Sequence, residues 1–333
     1  MKDAVLAASS QWTPSSAALH SPTIEIVATA AAAPLAAQVA AHLDLPVRHV
    51  STRVFSNEQF EVRLDPPAGT RTDVLLFQSF PDRVHDRLIE LLMAADLVKA
   101  AGAQRITAVL PYMPYSRSDR PACSGAPVTA RLLARLLEEA GIERLVTVEL
   151  HSSQLCGFFC GPVVEIDMTA AFARHFGRLG LLGQVAAVVS PDLGGAKRAE
   201  RLAMALGASL AVMRKTRRSG MKESFEVLGD VGGRQVIICD DEINSGETLL
   251  SASRTLRAAG AMAVHAAASH ALLTPDAPLR LSAVLNGLVV TDSVPCTWQA
   301  GERLDVLPVA PDIVRILSSM YVPASDENRA SPG

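Results

Sequence analysis

Apolar and polar positions along the chain alternate between two periods. Leu88, Leu91, Leu92, Ala95 and Val98 recur at helical spacing and share one face, and the run closes at Gly102. The apolar block Ile106–Leu110 follows, with the brevity and branched side chains of a strand. A second stripe, Leu132, Leu133, Leu136, Leu137 and Ala140, is stopped by Gly141 and followed by the strand Leu145–Leu150. Leu249, Ala252, Leu256 and Ala259 repeat the scheme, with a stop at Gly260 and the strand Ala263–Ala267. A glycine just past the last periodic residue is the expected helix terminator. Helices alternating with short, uninterrupted apolar strands predict an α/β fold whose sheets are parallel and covered on both faces.

At 333 residues the chain is long enough for two such units. We expect doubly wound halves at residues 22–165 and 166–315, with Gly177–Gly183 a loop early in the second. The Ala/Ser-rich lead, residues 1–21, and the tail, residues 322–333, read as disordered. Ile26 to Ala41 lacks charge, but its alanines and Pro34 predict a short strand and a core helix rather than a membrane span. The N-terminus has no compact apolar core of the signal-peptide kind.

Chemistry concentrates where strands end. The apolar run Val236–Cys239 leads into Asp240 and Asp241, then into Asn244-Ser245-Gly246-Glu247-Thr248 and an amphipathic helix. Carboxylates at the carboxyl end of a strand, beside the N–H groups of a helix start, suit a sugar's hydroxyls and its phosphate together. Ser190-Pro191-Asp192 ends another strand, Ala187–Ser190, and His151 follows Leu145–Leu150. Further polar segments are Phe55-Ser56-Asn57-Glu58-Gln59, Pro111 to Arg120, and the basic cluster Arg214-Lys215-Thr216-Arg217-Arg218.

Charge and cysteine content narrow the classes. A formal net charge of −3 argues against bulk nucleic-acid binding but leaves room for a local anion pocket. The five cysteines, an odd number with no CxxC pair, argue against a disulfide framework or a structural zinc site. They read as reduced, mostly buried thiols of a cytoplasmic protein.

In order and spacing, these segments resemble the ribose-phosphate pyrophosphokinase (phosphoribosyl pyrophosphate synthetase) family from about residue 50 to 296. The run SPDxGGxKRA at 190–199 and the run IxAVxPYxxYxRxDR at 106–120 carry the likeness. The resemblance implies two tandem phosphoribosyltransferase-type domains. It also implies transfer of a diphosphoryl group from ATP to the anomeric hydroxyl of ribose 5-phosphate, with release of AMP. The chain has no GxxxxGK[ST] loop, so the ATP site would be of another kind. By the same likeness Lys215 and Arg217 are the catalytic cations, stabilising charge on the transferred group. ATP is expected at Phe55, Asn57, Glu58, Gln59, Arg117, Ser118, Asp119 and His151, with the adenine between the Phe55 ring and the Arg117 guanidinium. Ribose phosphate is expected at Asp192, Asp240, Asp241, Asn244, Ser245, Gly246, Glu247 and Thr248. Mg2+ is expected at His151 and Asp192, the histidine resting on the resemblance because magnesium prefers oxygen. The family's Phe55 loop crosses to a neighbouring subunit, which implies a homo-oligomer, dimer-based and extending to a hexamer, with a shared ATP site.

Some positions depart from the family's pattern. Gln59 stands for a Glu, Ser118 for a Gln, Asn244 for an Asp, Glu247 for a Gly and Cys160 for an Asp. Gly125 and Ala126 stand where an Arg or Glu pair is common. These changes bear on nucleotide preference, on the sugar phosphate and on phosphate or ADP regulation. Glu247 is expected to point outward, toward the favourable field of the helix start. Rival readings are an inactive regulatory subunit, a phosphoribosyltransferase, and a paralogue for another sugar phosphate.

Overall fold

The computed structural model describes residues 23–69, 71–216, 224–295 and 303–321. The predicted disordered lead and tail, the cation Arg217 and Cys296 lie outside them.

The first sheet is six-stranded and parallel, in the order β2-β1-β5-β6-β7-β8. Its strands are β1 (Ile24–Ala28), β2 (Val47–His49), β5 (Asp73–Phe77), β6 (Arg105–Val109), β7 (Arg144–Val148) and β8 (Val163–Ile166). Between β2 and β5, β3 (Ser51–Val54) and β4 (Phe60–Arg63) form a separate antiparallel hairpin. The second sheet has seven strands in the order β11-β10-β9-β12-β13-β14-β15. These are β9 (Ala186–Ser190), β10 (Ser209–Thr216), β11 (Ser224–Leu228), β12 (Gln235–Ile243), β13 (Ala263–Ala271), β14 (Gly287–Thr291) and β15 (Leu304–Leu307). All its pairs are parallel except β10 with β11. The α/β architecture follows the expectation, and the hairpin and the β11 edge are its antiparallel exceptions.

Alternation along the strands builds three cores. On β5, Leu75 and Phe77 face one core while Val74 and Leu76 face another. The latter covers α2 (Val84–Ala100) and α3 (Thr129–Glu139). The second sheet divides likewise: Val236 and Ile238 of β12 pack toward α6 (Glu247–Ala258) and α7 (Ala277–Ser282). Ile237 and Cys239 face inward. The inward faces of both sheets share one central core, filled by α1 (Ala33–Leu43), α4 (Thr169–Arg178), α5 (Ala196–Leu206) and α8 (Ala310–Tyr321). Here α8, which follows the whole second sheet in the chain, packs back against α1 of the first half.

Several expectations need correction. Leu133 and Leu137 are buried on α3, but Leu132 and Leu136 stand 54% and 39% exposed, so the stripe is half as wide as the pattern suggests. Ala259 falls after α6 ends and is exposed. Gly177 lies within α4, so the loop is shorter than Gly177–Gly183. The strand expected at Leu145–Leu150 stops at Val148, because Glu149 takes a left-handed φ of 34°. Among the described cysteines only Cys239 is buried, whereas Cys123 and Cys160 are exposed. Burial pushes the Cys239 thiol up to about 12, which leaves it unreactive. No described helix is long and apolar enough to cross a membrane.

Candidate active site

The strand order of the second sheet turns around between β9 and β12, since β9 leads to β10 on one side and β12 to β13 on the other. Open α/β sheets bind ligands in the crevice at such a point. Here the crevice opens into a cleft of about 840 Å³ that also takes walls from the ends of β6, β7 and β8. The corresponding turnaround in the first sheet lies between β1 and β5. It is closed: Thr29 Oγ1 donates to Gln78 Oε1 (2.5 Å), and Gln78 Nε2 donates to Glu90 (3.2 Å).

Along β12 the apolar run carries the chain to Asp240 and Asp241, and the strand continues to Ile243, beyond the carboxylates where it was expected to end. The loop Asn244–Gly246 then turns into α6, with Gly246 at φ 75° as the N-cap. The first N–H groups of α6 have no partner inside the helix and face the loop, as an anion site requires. Glycine is favoured at 246: its φ lies in the left-handed region that side chains rarely adopt, and a Cβ there would lie a tight 3.1 Å from the Leu281 side chain. Gly246→Ala is expected to lower stability by about 1–2 kcal/mol. An unchanged urea midpoint would refute the constraint. The Glu247 carboxylate, largely exposed, pairs with Arg280 of α7.

Asp241 is the electrostatic centre. His151 Nδ1 donates to its Oδ2 (2.7 Å), and Arg198 Nη1 lies 3.5 Å from its Oδ1. Burial alone would raise Asp241, yet the His151 bond and the Arg198 charge hold it well below the usual carboxylate range. Its neighbour goes the other way: burial, together with the Asp241 carboxyl alongside, pushes Asp240 up to about 8. The bond to Asp241 raises His151 against its own desolvation. Arg198 reaches the cleft from α5, donating through Nε to Glu149 (3.0 Å) and through Nη2 to Leu150 O (3.2 Å). Glu149 also accepts Met168 N–H (3.0 Å), which accounts for a left-handed residue held at the end of β7.

A second bridge crosses the same seam. Glu242 Oε2 accepts the Tyr112 hydroxyl (3.2 Å), and its Oε1 lies 3.6 Å from Arg117 Nη1. Tyr112 packs edge-on against His270 with centroids 5.0 Å apart, and His270 Nε2 donates to Glu149 O (2.9 Å). At the end of β9, Asp192 Oδ1 accepts Gly195 N–H (2.9 Å) and so shapes the turn into α5.

The cleft thus brings together Arg117, Asp119, His151, Asp192, Asp240, Asp241 and the loop from Asn244 to Thr248. Ser118 is not among its walls; its hydroxyl accepts Thr129 N–H (3.2 Å) at the start of α3. Phe55, Asn57, Glu58 and Gln59 form the tip of the β3–β4 hairpin, apart from the cleft of their own chain. The Phe55 ring is covered by Arg53 at 5.3 Å, not by Arg117. Lys215 is placed by its backbone on β10, opposite Phe225. The sequence reading missed Glu149, Arg198, Tyr112, Glu242 and His270 as parts of the site. Arg198 and Tyr112 lie in the two runs that carry the likeness and Glu242 follows the acidic pair, whereas Glu149 and His270 had no local signal.

Comparison with known proteins gives a consistent picture. Residues 24–141 match the N-terminal domain of ribose phosphate pyrophosphokinase, and residues 205–317 match the phosphoribosyl synthetase-associated domain. A ribose-phosphate pyrophosphokinase of Campylobacter jejuni is 35% identical over 86% of this chain and 92% of its own length. One from Granulibacter bethesdensis is 36% identical, covering 89% of this chain and 97% of its own. The crystal structure of phosphoribosylpyrophosphate synthetase from Mycobacterium smegmatis superposes with a TM-score of 0.83 and 35% identity, over 90% of this chain and 99% of that one.

Proposed function

The chain belongs to the ribose-phosphate pyrophosphokinase family, and from that membership we infer that its cleft transfers a diphosphoryl group from ATP to the anomeric hydroxyl of ribose 5-phosphate, giving phosphoribosyl pyrophosphate and AMP. One observation carries the assignment of the site. The Asp240–Asp241 pair and the Asn244–Thr248 loop meet at the turnaround of the second sheet, in one cleft with Arg117, His151 and Asp192.

In this reading Asp240 and Asp241 hold the ribose hydroxyls, and Ser245, Gly246 and Thr248 wrap the 5-phosphate with the open N–H groups of α6. Asn244 and Glu247 border that loop, and pairing with Arg280 keeps the Glu247 charge off the phosphate. Arg117, Asp119 and His151 form the nucleotide side. Lys215 and Arg217 stabilise the charge that develops on the transferred group, since phosphoryl transfer is mainly positioning and electrostatics.

Mg2+ suits this donor set. Asp240 is raised by burial beside a second carboxyl, a crowding that a divalent cation relieves, and Asp192 adds oxygen donors at the same turnaround. Asp192 and the acidic pair would hold the ion with His151 nearby; no group of three or more His, Cys, Asp or Glu is preassembled for a metal among the described residues. Bound there, magnesium would neutralise the phosphates and polarise them toward attack.

The hairpin tip lies apart from its own cleft, which supports a homo-oligomer in which Phe55, Asn57, Glu58 and Gln59 complete the ATP site of a neighbouring copy. The division at residues 22–165 and 166–315 is kept as the proposed domain assignment, supported by a sheet in each half, although β8 runs one residue past the first bound and α8 past the second.

The test is AMP release from Mg-ATP by the purified protein with and without ribose 5-phosphate. Sugar-dependent AMP is expected. ADP in place of AMP would refute diphosphoryl transfer. Turnover only with another sugar phosphate would reassign the substrate.

A further inference from the structure

Arg117 extends from the loop after β6 with its side chain 63% exposed, and among the described residues Glu242 is its ion-pair partner. A long guanidinium side chain carries much rotamer entropy. A flat surface for a nucleotide base therefore depends on something that restricts it. Glu242 is equipped for this. Its side chain is only 6% exposed at the end of β12, and each carboxylate oxygen has a separate partner: Oε1 faces Arg117 (3.6 Å), and Oε2 accepts the Tyr112 hydroxyl (3.2 Å). Tyr112 is fixed in turn against His270, which is anchored to Glu149 O (2.9 Å). The chain of contacts starts at Glu242 on β12, the strand that carries Asp240 and Asp241, crosses to Tyr112 in the first half, returns to His270 on β13 and ends at Glu149 beyond β7.

We propose that Glu242 is a positioning residue for the nucleotide side of the site, holding the Arg117 guanidinium at the base-binding wall from the strand that presents the ribose-phosphate carboxylates. The proposal rests on the function stated above. Tyr112 sets the carboxylate's orientation, and Glu242 itself touches neither substrate.

Glu242→Gln isolates the effect. It keeps size and can still accept from Tyr112, but it then turns an amide N–H toward the guanidinium, donor against donor. Initial rates are measured with ATP and ribose 5-phosphate varied separately, after sugar-dependent AMP formation by the wild type is established in the same assay. The KM for ATP is expected to rise about tenfold, the scale of one charge-assisted contact. The kcat should stay within about threefold, and the KM for ribose 5-phosphate within about twofold, although Glu242 adjoins Asp241. In an Arg117→Ala background, Glu242→Gln should add nothing to the KM for ATP.

An unchanged KM for ATP with only a lower melting temperature would reduce Glu242 to a structural residue and overturn the proposal. Equal rises in both KM values would overturn it as well, because they indicate a disordered end of β12. If Glu242→Gln does not fold, Tyr112→Phe carries the test, with a smaller rise in the KM for ATP expected and no rise counting against the proposal. A wild type that forms no AMP would instead remove the functional premise, and the proposal with it.

Discussion

A Lys215→Ala protein is expected to turn over about 10²–10³-fold more slowly than the wild type, the range for removing one preorganised charge from a transition state. Its KM for ATP and its melting temperature stay nearly unchanged. The expectation follows from where the residue sits. β10 pairs with β9 only from Ser209 to Val212, and from there to Thr216 it is held by β11 alone. Lys215 therefore lies on a two-stranded ribbon that leaves the sheet, so its loss spares the cores. A charge that matters when the diphosphoryl group is in flight alters kcat, whereas one that only binds ATP alters KM. Turnover within tenfold of the wild type would remove Lys215 from the catalytic role.

Arg198→Met is expected to cost about 3–5 kcal/mol of stability and to abolish activity, because it removes one partner from a buried ionic group. Arg198 is 12% exposed and serves Glu149, Asp241 and Leu150 O at once. Without it the Glu149 carboxylate, 2% exposed, keeps Met168 N–H and a distant Arg201 (3.9 Å) as partners. Asp241 keeps the His151 bond and the neighbouring Asp240 carboxyl against its desolvation. Chemical denaturation of Arg198→Met, Glu149→Gln and the double variant decides the matter. The double variant should recover part of the loss, since it no longer buries an unpaired carboxylate. A loss below about 1 kcal/mol for Arg198→Met would mean that water already serves these groups.

Local features reported the fold well where one physical cause dominated. Glycines after apolar stripes marked the ends of helices correctly at Gly102, Gly141 and Gly260. The Asp240–Thr248 stretch read as strand, loop and helix because each transition has its own signature. What stayed hidden depends on distant partners. Leu132 and Leu136 match the helical period yet face outward, because the sheet covers only the side of Leu133 and Leu137. The Arg198–Glu149 and Tyr112–Glu242 contacts join residues 49 and 130 positions apart, beyond the reach of any periodicity. Phe55 and Arg117 were paired by resemblance, and one chain does not bring them together.

The return of α8 to α1 has a consequence for biosynthesis. α1 leaves the ribosome early, while the helix that packs against it in the central core is made only after residue 309. At ordinary translation rates that interval is on the order of tens of seconds. During it the nascent chain carries an unfinished apolar surface, open to chaperones and to neighbouring nascent chains on the same message.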